Sequence, residues 1–86
     1  MNKVIWKYTI KIQDEFQVDM PNGAKVLYTD TQYGEPCMWV EVNPDAEITS
    51  YTFYVFGTGH HRIPTHIQYI GSFLMRDDAL VWHLYT

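Results

Sequence analysis

Cys37 is the only cysteine in the 86 residues, so the chain can build neither an intrachain disulfide framework nor a multi-cysteine zinc site. A reducing, cytoplasmic setting is the expectation. Positive charge is equally sparse. The six cations, Lys3, Lys7, Lys11, Lys25, Arg62 and Arg76, form no basic block, and the formal net charge is −4. That argues against a duplex-nucleic-acid binder, whose affinity comes from neutralising phosphates. No apolar run approaches the roughly 20 residues that cross a bilayer. The opening of the chain also lacks the uninterrupted apolar core of a signal peptide. Neither secretion nor membrane spanning is expected. Also missing is an apolar stripe of 3.6-residue period over a helical length, so helices are not expected.

What the chain does have is apolar and aromatic. Hydrophobic residues make up 47 % and aromatics 16 %, with seven Tyr and three Trp, too much for a disordered segment. The length suits one domain over residues 1–86, with no room for a second core. Below about 70–80 residues a single core is marginal, and this chain sits just above that, so self-association is an expected source of stability.

The periodicity is that of strands. Val4, Trp6, Tyr8, Ile10 and Ile12 alternate with Ile5, Lys7, Thr9 and Lys11, which predicts a half-buried strand. Phe16 to Met20 is a short extended stretch, and Pro21-Asn22-Gly23 turns it into a hairpin with the next segment. Ala24 to Asp30 and Cys37 to Val42 form an antiparallel pair through Tyr33-Gly34-Glu35-Pro36. Asn43 to Glu47 is a polar turn, and Ile48 to Phe56 is a β-branched and aromatic strand. After the irregular Arg62-Ile63-Pro64-Thr65, His66 to Met75 and Ala79 to Tyr85 make a last hairpin around Arg76-Asp77-Asp78. The expectation is an all-β domain of six or seven short antiparallel strands, a small sandwich or open barrel.

Gly57-Thr58-Gly59-His60-His61 gathers more ligand-capable groups than any other stretch. Glycine allows a sharp turn and a close approach to backbone N–H groups, while threonine and histidine offer hydrogen bonds to phosphate or base. The segment is too short for a dinucleotide or Walker fingerprint. The plain alternative is that its glycines serve only a tight turn. Adjacent His60 and His61 in an extended chain point to opposite faces, so a zinc site would need His83 and a carboxylate beside one of them, and no metal is expected. Cys37 lies between Pro36 and Met38 with no local histidine, and packing explains it better than catalysis. Asp14-Glu15 and Asp77-Asp78 fall at breaks in the pattern, where acidic residues solvate turns. No catalytic residue and no cofactor are expected. Aromatics such as Trp6, Tyr8, Trp39, Tyr54, Phe56, Tyr69 and Trp82 can stack bases, a contact worth about 1–3 kcal/mol each, although core packing accounts for most. Lys7 lies between Trp6 and Tyr8 but faces the other side, so the three meet one ligand only through a twist or a neighbouring subunit.

Ile5-Trp6-Lys7-Tyr8, Met20-Pro21-Asn22-Gly23-Ala24, Pro36-Cys37-Met38-Trp39, Val42-Asn43-Pro44-Asp45-Ala46, Phe56-Gly57-Thr58-Gly59-His60, Tyr69-Ile70-Gly71 and Leu80-Val81-Trp82-His83 span nearly the whole chain in order. Through these blocks the chain resembles a family of very short bacteriophage proteins, similar to the anti-CBASS sponges that sequester cyclic dinucleotide signals such as cyclic GMP–AMP without cleaving them. Between Gly59 and Tyr69 it departs from that pattern, which has a longer Pro- and Asp-rich turn where His61-Arg62 stands here. The resemblance implies a homo-oligomer in the host cytoplasm, with cyclic dinucleotide sites shared between subunits. The expected ligand-binding residues are Trp6, Lys7, Tyr8, Gly57, Thr58, Gly59, His60, His61, Arg62 and His83, with Lys7, Arg62 or Arg76 supplying local positive potential. Two other readings stand beside it: a protein that inhibits a host factor through an exposed β-edge or aromatic patch, and a nucleotide-cleaving enzyme that depends on His60, His61 or His83.

Overall fold

Period-two alternation builds seven strands: β1 (Val4–Thr9), β2 (Phe16–Pro21), β3 (Lys25–Gln32), β4 (Glu35–Val42), β5 (Ile48–Gly57), β6 (Tyr69–Met75) and β7 (Leu80–Tyr85). The structure is a computed structural model describing residues 2–60, 62–75 and 79–86, and no helix occurs among the described residues. Every ladder is antiparallel. One sheet has the order β1-β4-β3 and the other β2-β5-β7-β6. The chain is therefore an all-β sandwich of two sheets, as its patterning predicts, and not a closed barrel.

Residues of β2, β4, β5, β6 and β7 supply the buried core. Met38, Val40 and Val42 of β4 meet Phe16, Met20, Phe53, Val55, Phe73 and Leu84 of the other sheet, with Ile10 beyond the end of β1. Phe16 and Phe53 sit opposite each other in register with ring centroids 5.7 Å apart. Burying each such side chain stabilises the fold by about 1.5–3 kcal/mol.

The β3–β4 connection is the tight hairpin the sequence suggests. Its two turn residues, Tyr33 and Gly34, have φ of 52° and 81°, the left-handed pair that a type I′ turn needs. The strands run to the turn itself, so Pro36 lies inside β4, opposite Thr31. Its carbonyl accepts from Ile10 N–H at 2.9 Å.

The expected hairpin between β2 and β3 does not form, although its turn does. Ala24 N–H donates to Pro21 O at 3.2 Å, and Gly23 has φ 85°. The turn is tied instead to the strand beside it. Asn22 N–H donates to Glu47 O at 2.7 Å, and Gly23 N–H to the Tyr51 hydroxyl at 2.8 Å. Held there, the chain crosses to the other sheet, so β2 pairs with β5 and β3 with β4. Between the sheets near this corner lies a cavity of about 320 Å³ lined by Met20, Ala24, Val26, Tyr51, Phe53 and Ile70 among others.

Two further boundaries differ from expectation. The first ladder stops at Thr9 and does not continue through Ile12, and the last hairpin starts at Tyr69, one residue after Gln68 and Thr86 exchange backbone hydrogen bonds at 2.8 and 2.9 Å. Arg76-Asp77-Asp78, expected as the turn of that hairpin, lies outside the described residues.

Along one side, β3 and β6 are joined by side chains and not by a backbone ladder. The Thr29 hydroxyl donates to Ser72 O at 3.0 Å, and the Thr31 hydroxyl donates to Leu74 O. Gly71 makes the approach feasible, since a Cβ there would lie 2.5 Å from Thr29 Oγ1.

Candidate functional site

The glycine loop is both a turn and a point of contact with β7. His60 N–H donates to Gly57 O at 3.1 Å, and Gly59 has φ 89°, a conformation that favours glycine. Gly57 serves a different end: a Cβ there would meet the Trp82 ring at 3.4 Å. Thr58 is fixed to β7, with its N–H and its hydroxyl both donating to Val81 O at 3.3 Å. Its Oγ1 also lies 2.9 Å from His83 Nε2.

From His83 the polar contacts continue across the outer face of the four-stranded sheet. His83 Nδ1 is 2.8 Å from Ser72 Oγ, which is 2.7 Å from the Tyr69 hydroxyl. Because Thr58 donates to Val81 O, it accepts from an Nε2–H of His83. Nδ1 of that tautomer accepts from Ser72, and Ser72 accepts from Tyr69. Four side chains from β5's loop, β7 and β6 thus form one directed chain of hydrogen bonds.

Aromatic rings line the same face. Register puts Tyr54 opposite Tyr85 and Phe56 opposite His83. Phe56 stacks on Tyr54 with centroids 6.3 Å apart, meets Tyr85 edge-on at 5.7 Å and carries the His60 ring at 4.8 Å. Tyr69 meets Tyr85 edge-on at 5.6 Å. Where β5 leaves the sheet and β7 enters it, a groove of about 500 Å³ opens between Gly57, Thr58, Leu80, Val81 and Trp82.

Of the sequence-derived candidates, the fold brings Gly57, Thr58, Gly59, His60 and His83 together. Arg62 is close by along the chain, exposed and with φ 70°, an uncommon conformation for a non-glycine residue. His61 and Arg76 lie outside the described residues. Trp6, Lys7 and Tyr8 are on β1 in the other sheet, so one chain does not unite them with the loop. Their alternation is as expected. Trp6 and Tyr8 stand opposite the buried Val40 and Met38, and Lys7 stands opposite Trp39 on the outer face. Lys7 Nζ donates to Gln32 Oε1 at 2.8 Å, and burial pushes the Tyr8 phenol above its ordinary range.

Ser72 was not among the candidates. Tyr69 and Ser72 are three apart, which in a regular strand puts them on opposite faces. A bulge between Tyr69 and Gly71 brings both to the outer face. The period-two pattern of His83 and Tyr85, and of Tyr54 and Phe56, is the signal that marks the rest of the cluster. On the outer face of the three-stranded sheet, the exposed Tyr28 and the half-buried Trp39 form a second ring pair, with centroids 5.8 Å apart.

The model of a family described as a domain of unknown function, DUF7352, matches residues 1–86, and the chain belongs to that family. No curated protein and no solved structure matches it.

Proposed function

We propose that this member of the DUF7352 family holds a small ligand with planar rings and phosphates, a cyclic dinucleotide such as cyclic GMP–AMP, and sequesters it unchanged in the host cytoplasm. The observation that carries the reading is the 2.9 Å contact between Thr58 and His83. It seats the glycine loop against a face that offers hydroxyls, imidazoles and aromatic rings together. The Gly59 N–H suits a phosphate oxygen, and the half-buried Tyr54 and Tyr85 rings, set over the buried Phe56, suit bases. The groove volume of about 500 Å³ falls within the range of small-molecule sites. Arg62 supplies the nearby cation. Trp6, Lys7 and Tyr8 join the same ligand only from a second subunit, in keeping with a shared site in a homo-oligomer.

Calorimetric titration against a panel of cyclic di- and trinucleotides tests the proposal. Binding with intact ligand recovered afterwards, weakened about tenfold or more by His83→Ala, supports it. No heat with any member of the panel overturns it.

One contact favours a second reading. Ser72 Oγ and His83 Nδ1, 2.8 Å apart, stand as a nucleophile and base would. Against this, the group orienting His83 is the neutral Thr58 hydroxyl and not a carboxylate, which stabilises an imidazolium far better. Product formation on long incubation that is lost in Ser72→Ala while binding persists would establish hydrolysis in place of sequestration.

A further inference from the structure

Two sheets have four edges, and three of them are protected. The β3 and β6 edges are occupied by each other through Thr29 and Thr31. The β2 edge carries Asp19 and ends in Pro21, and its inward residues Phe16 and Met20 are buried. Charge, proline and burial are the means by which sheet edges avoid pairing with other chains.

β1 is less protected, with a single charge, Lys7, and only Tyr8 partly buried. It is six residues long, lacks proline and, among the described residues, pairs with β4 alone. Apolar side chains are exposed on both of its faces: Ile5 at 58 % on the outer face, Trp6 at 40 % and Val4 at 38 % on the inner face, where they overhang the core. Lysines at an edge ordinarily deter pairing, yet here they lean back over the sheet. Lys3 pairs with Glu41 at 3.5 Å, and Lys7 reaches across β4 to Gln32 at 2.8 Å.

We propose that the β1 edge is the interface of a two-fold symmetric dimer, in which β1 pairs antiparallel with β1 of a second copy, centred on Trp6. Directly opposite residues of an antiparallel pair share a face, so a two-fold axis normal to the sheet passes through a residue position. Overlap along the six-residue strand favours a centre at Trp6 or Lys7, and charge selects between them. Centring on Ile5 sets Lys3 against Lys7 of the second copy, and centring on Lys7 sets the lysine against itself; like charges directly opposite are destabilising. Centring on Trp6 sets Trp6 against Trp6, Val4 against Tyr8 and Ile5 against Lys7, with no like-charge pair. The result is one six-stranded sheet, and the overhanging Val4, Trp6 and Tyr8 of both copies form a continuous apolar strip. This dimer joins β1 to β1 and not to the glycine loop of the second copy, so it stands independently of the proposed ligand and would not itself create a site shared with that loop.

Sedimentation equilibrium across a range of concentrations should give twice the 10.2 kDa chain mass at the concentrated end. Ile5→Lys, which faces Lys7 twice across the axis, should weaken association about tenfold or more, and Ile5→Glu should preserve or tighten it. Under oxidation, Trp6→Cys should link to its own copy and Val4→Cys should not, since the remaining cysteine, Cys37, is buried. Circular dichroism checks that each variant is folded, and the unmodified chain tests the central claim by itself. A monomer at every concentration overturns the proposal. So does a dimer that treats Ile5→Lys and Ile5→Glu alike, or one that cross-links at Val4 and not at Trp6.

Discussion

His83 Nε2 lies 2.9 Å from Thr58 Oγ1, and this contact fastens the turn after β5 to the middle of β7. Both imidazole nitrogens are engaged by hydroxyls, so the ring orientation is set from two sides. Replacing Thr58 with Val removes the partner of Nε2 and one of the two donors to Val81 O, leaving the backbone N–H in place. The expected loss is about 1 kcal/mol, the net worth of a typical hydrogen bond. Denaturant midpoints of Thr58→Val, His83→Phe and the double variant should show a total loss smaller than the sum of the singles, because the two residues share one contact.

Gly71 of β6 lies directly against Thr29 of β3. Gly71→Ala places a methyl 2.5 Å from Thr29 Oγ1, too near for both groups to stay. A destabilisation of about 1–3 kcal/mol is expected from the overpacking. Thr29→Ala removes the obstructing atoms, so thermal unfolding of the double variant should show Gly71→Ala costing much less in that background.

Tyr33 occupies a left-handed position, φ 52°, with its ring almost wholly in solvent, 97 % exposed. An ordinary L-residue is disfavoured there by about 1–2 kcal/mol, and asparagine less so. Tyr33→Asn turns the hairpin into the favoured Asn-Gly pair and should raise the chemical denaturation midpoint. Gly34→Ala, at φ 81°, should lower it.

The Tyr28 phenol is held above the ordinary tyrosine range by its hydrogen bond to Asp30, reinforced by that carboxylate's negative charge and a lesser desolvation. A phenol with a raised folded-state pKa contributes stability below the unfolded value of about 10, and that contribution is lost as pH rises through the folded pKa. Asp30→Asn should therefore bring Tyr28 ionisation to lower pH, monitored by phenolate absorbance. The variant should also lose the part of alkaline stability that depends on this pair.

The strands were legible wherever one face is buried and the other wet. Val55 and Leu84 inward against Tyr54 and His83 outward can be read from alternation alone, and Tyr33-Gly34 announces its own turn. Partner choice was not legible across the Pro21 corner. There a turn that reads as a hairpin is pinned to Glu47 and Tyr51, residues distant in sequence. The candidate loop could be located from its glycines and histidines, but not the serine that extends it, because one extra residue at the Tyr69 to Gly71 bulge reverses the parity of the rest of β6. Nor does spacing reveal that Trp6 and Tyr8 sit in the other sheet from that loop. Only the assembled strand order separates them.

The threonine contacts between β3 and β6 give the molecule two separable clasps in an otherwise backbone-laced fabric. Releasing Thr29 and Thr31 breaks side-chain hydrogen bonds and leaves each sheet's amide ladder whole. Amide exchange should therefore divide the chain into two blocks, β1-β4-β3 and β2-β5-β7-β6, each opening as a unit. With those clasps released, the apolar interior still presses the two sheets together, each laced by its own amides.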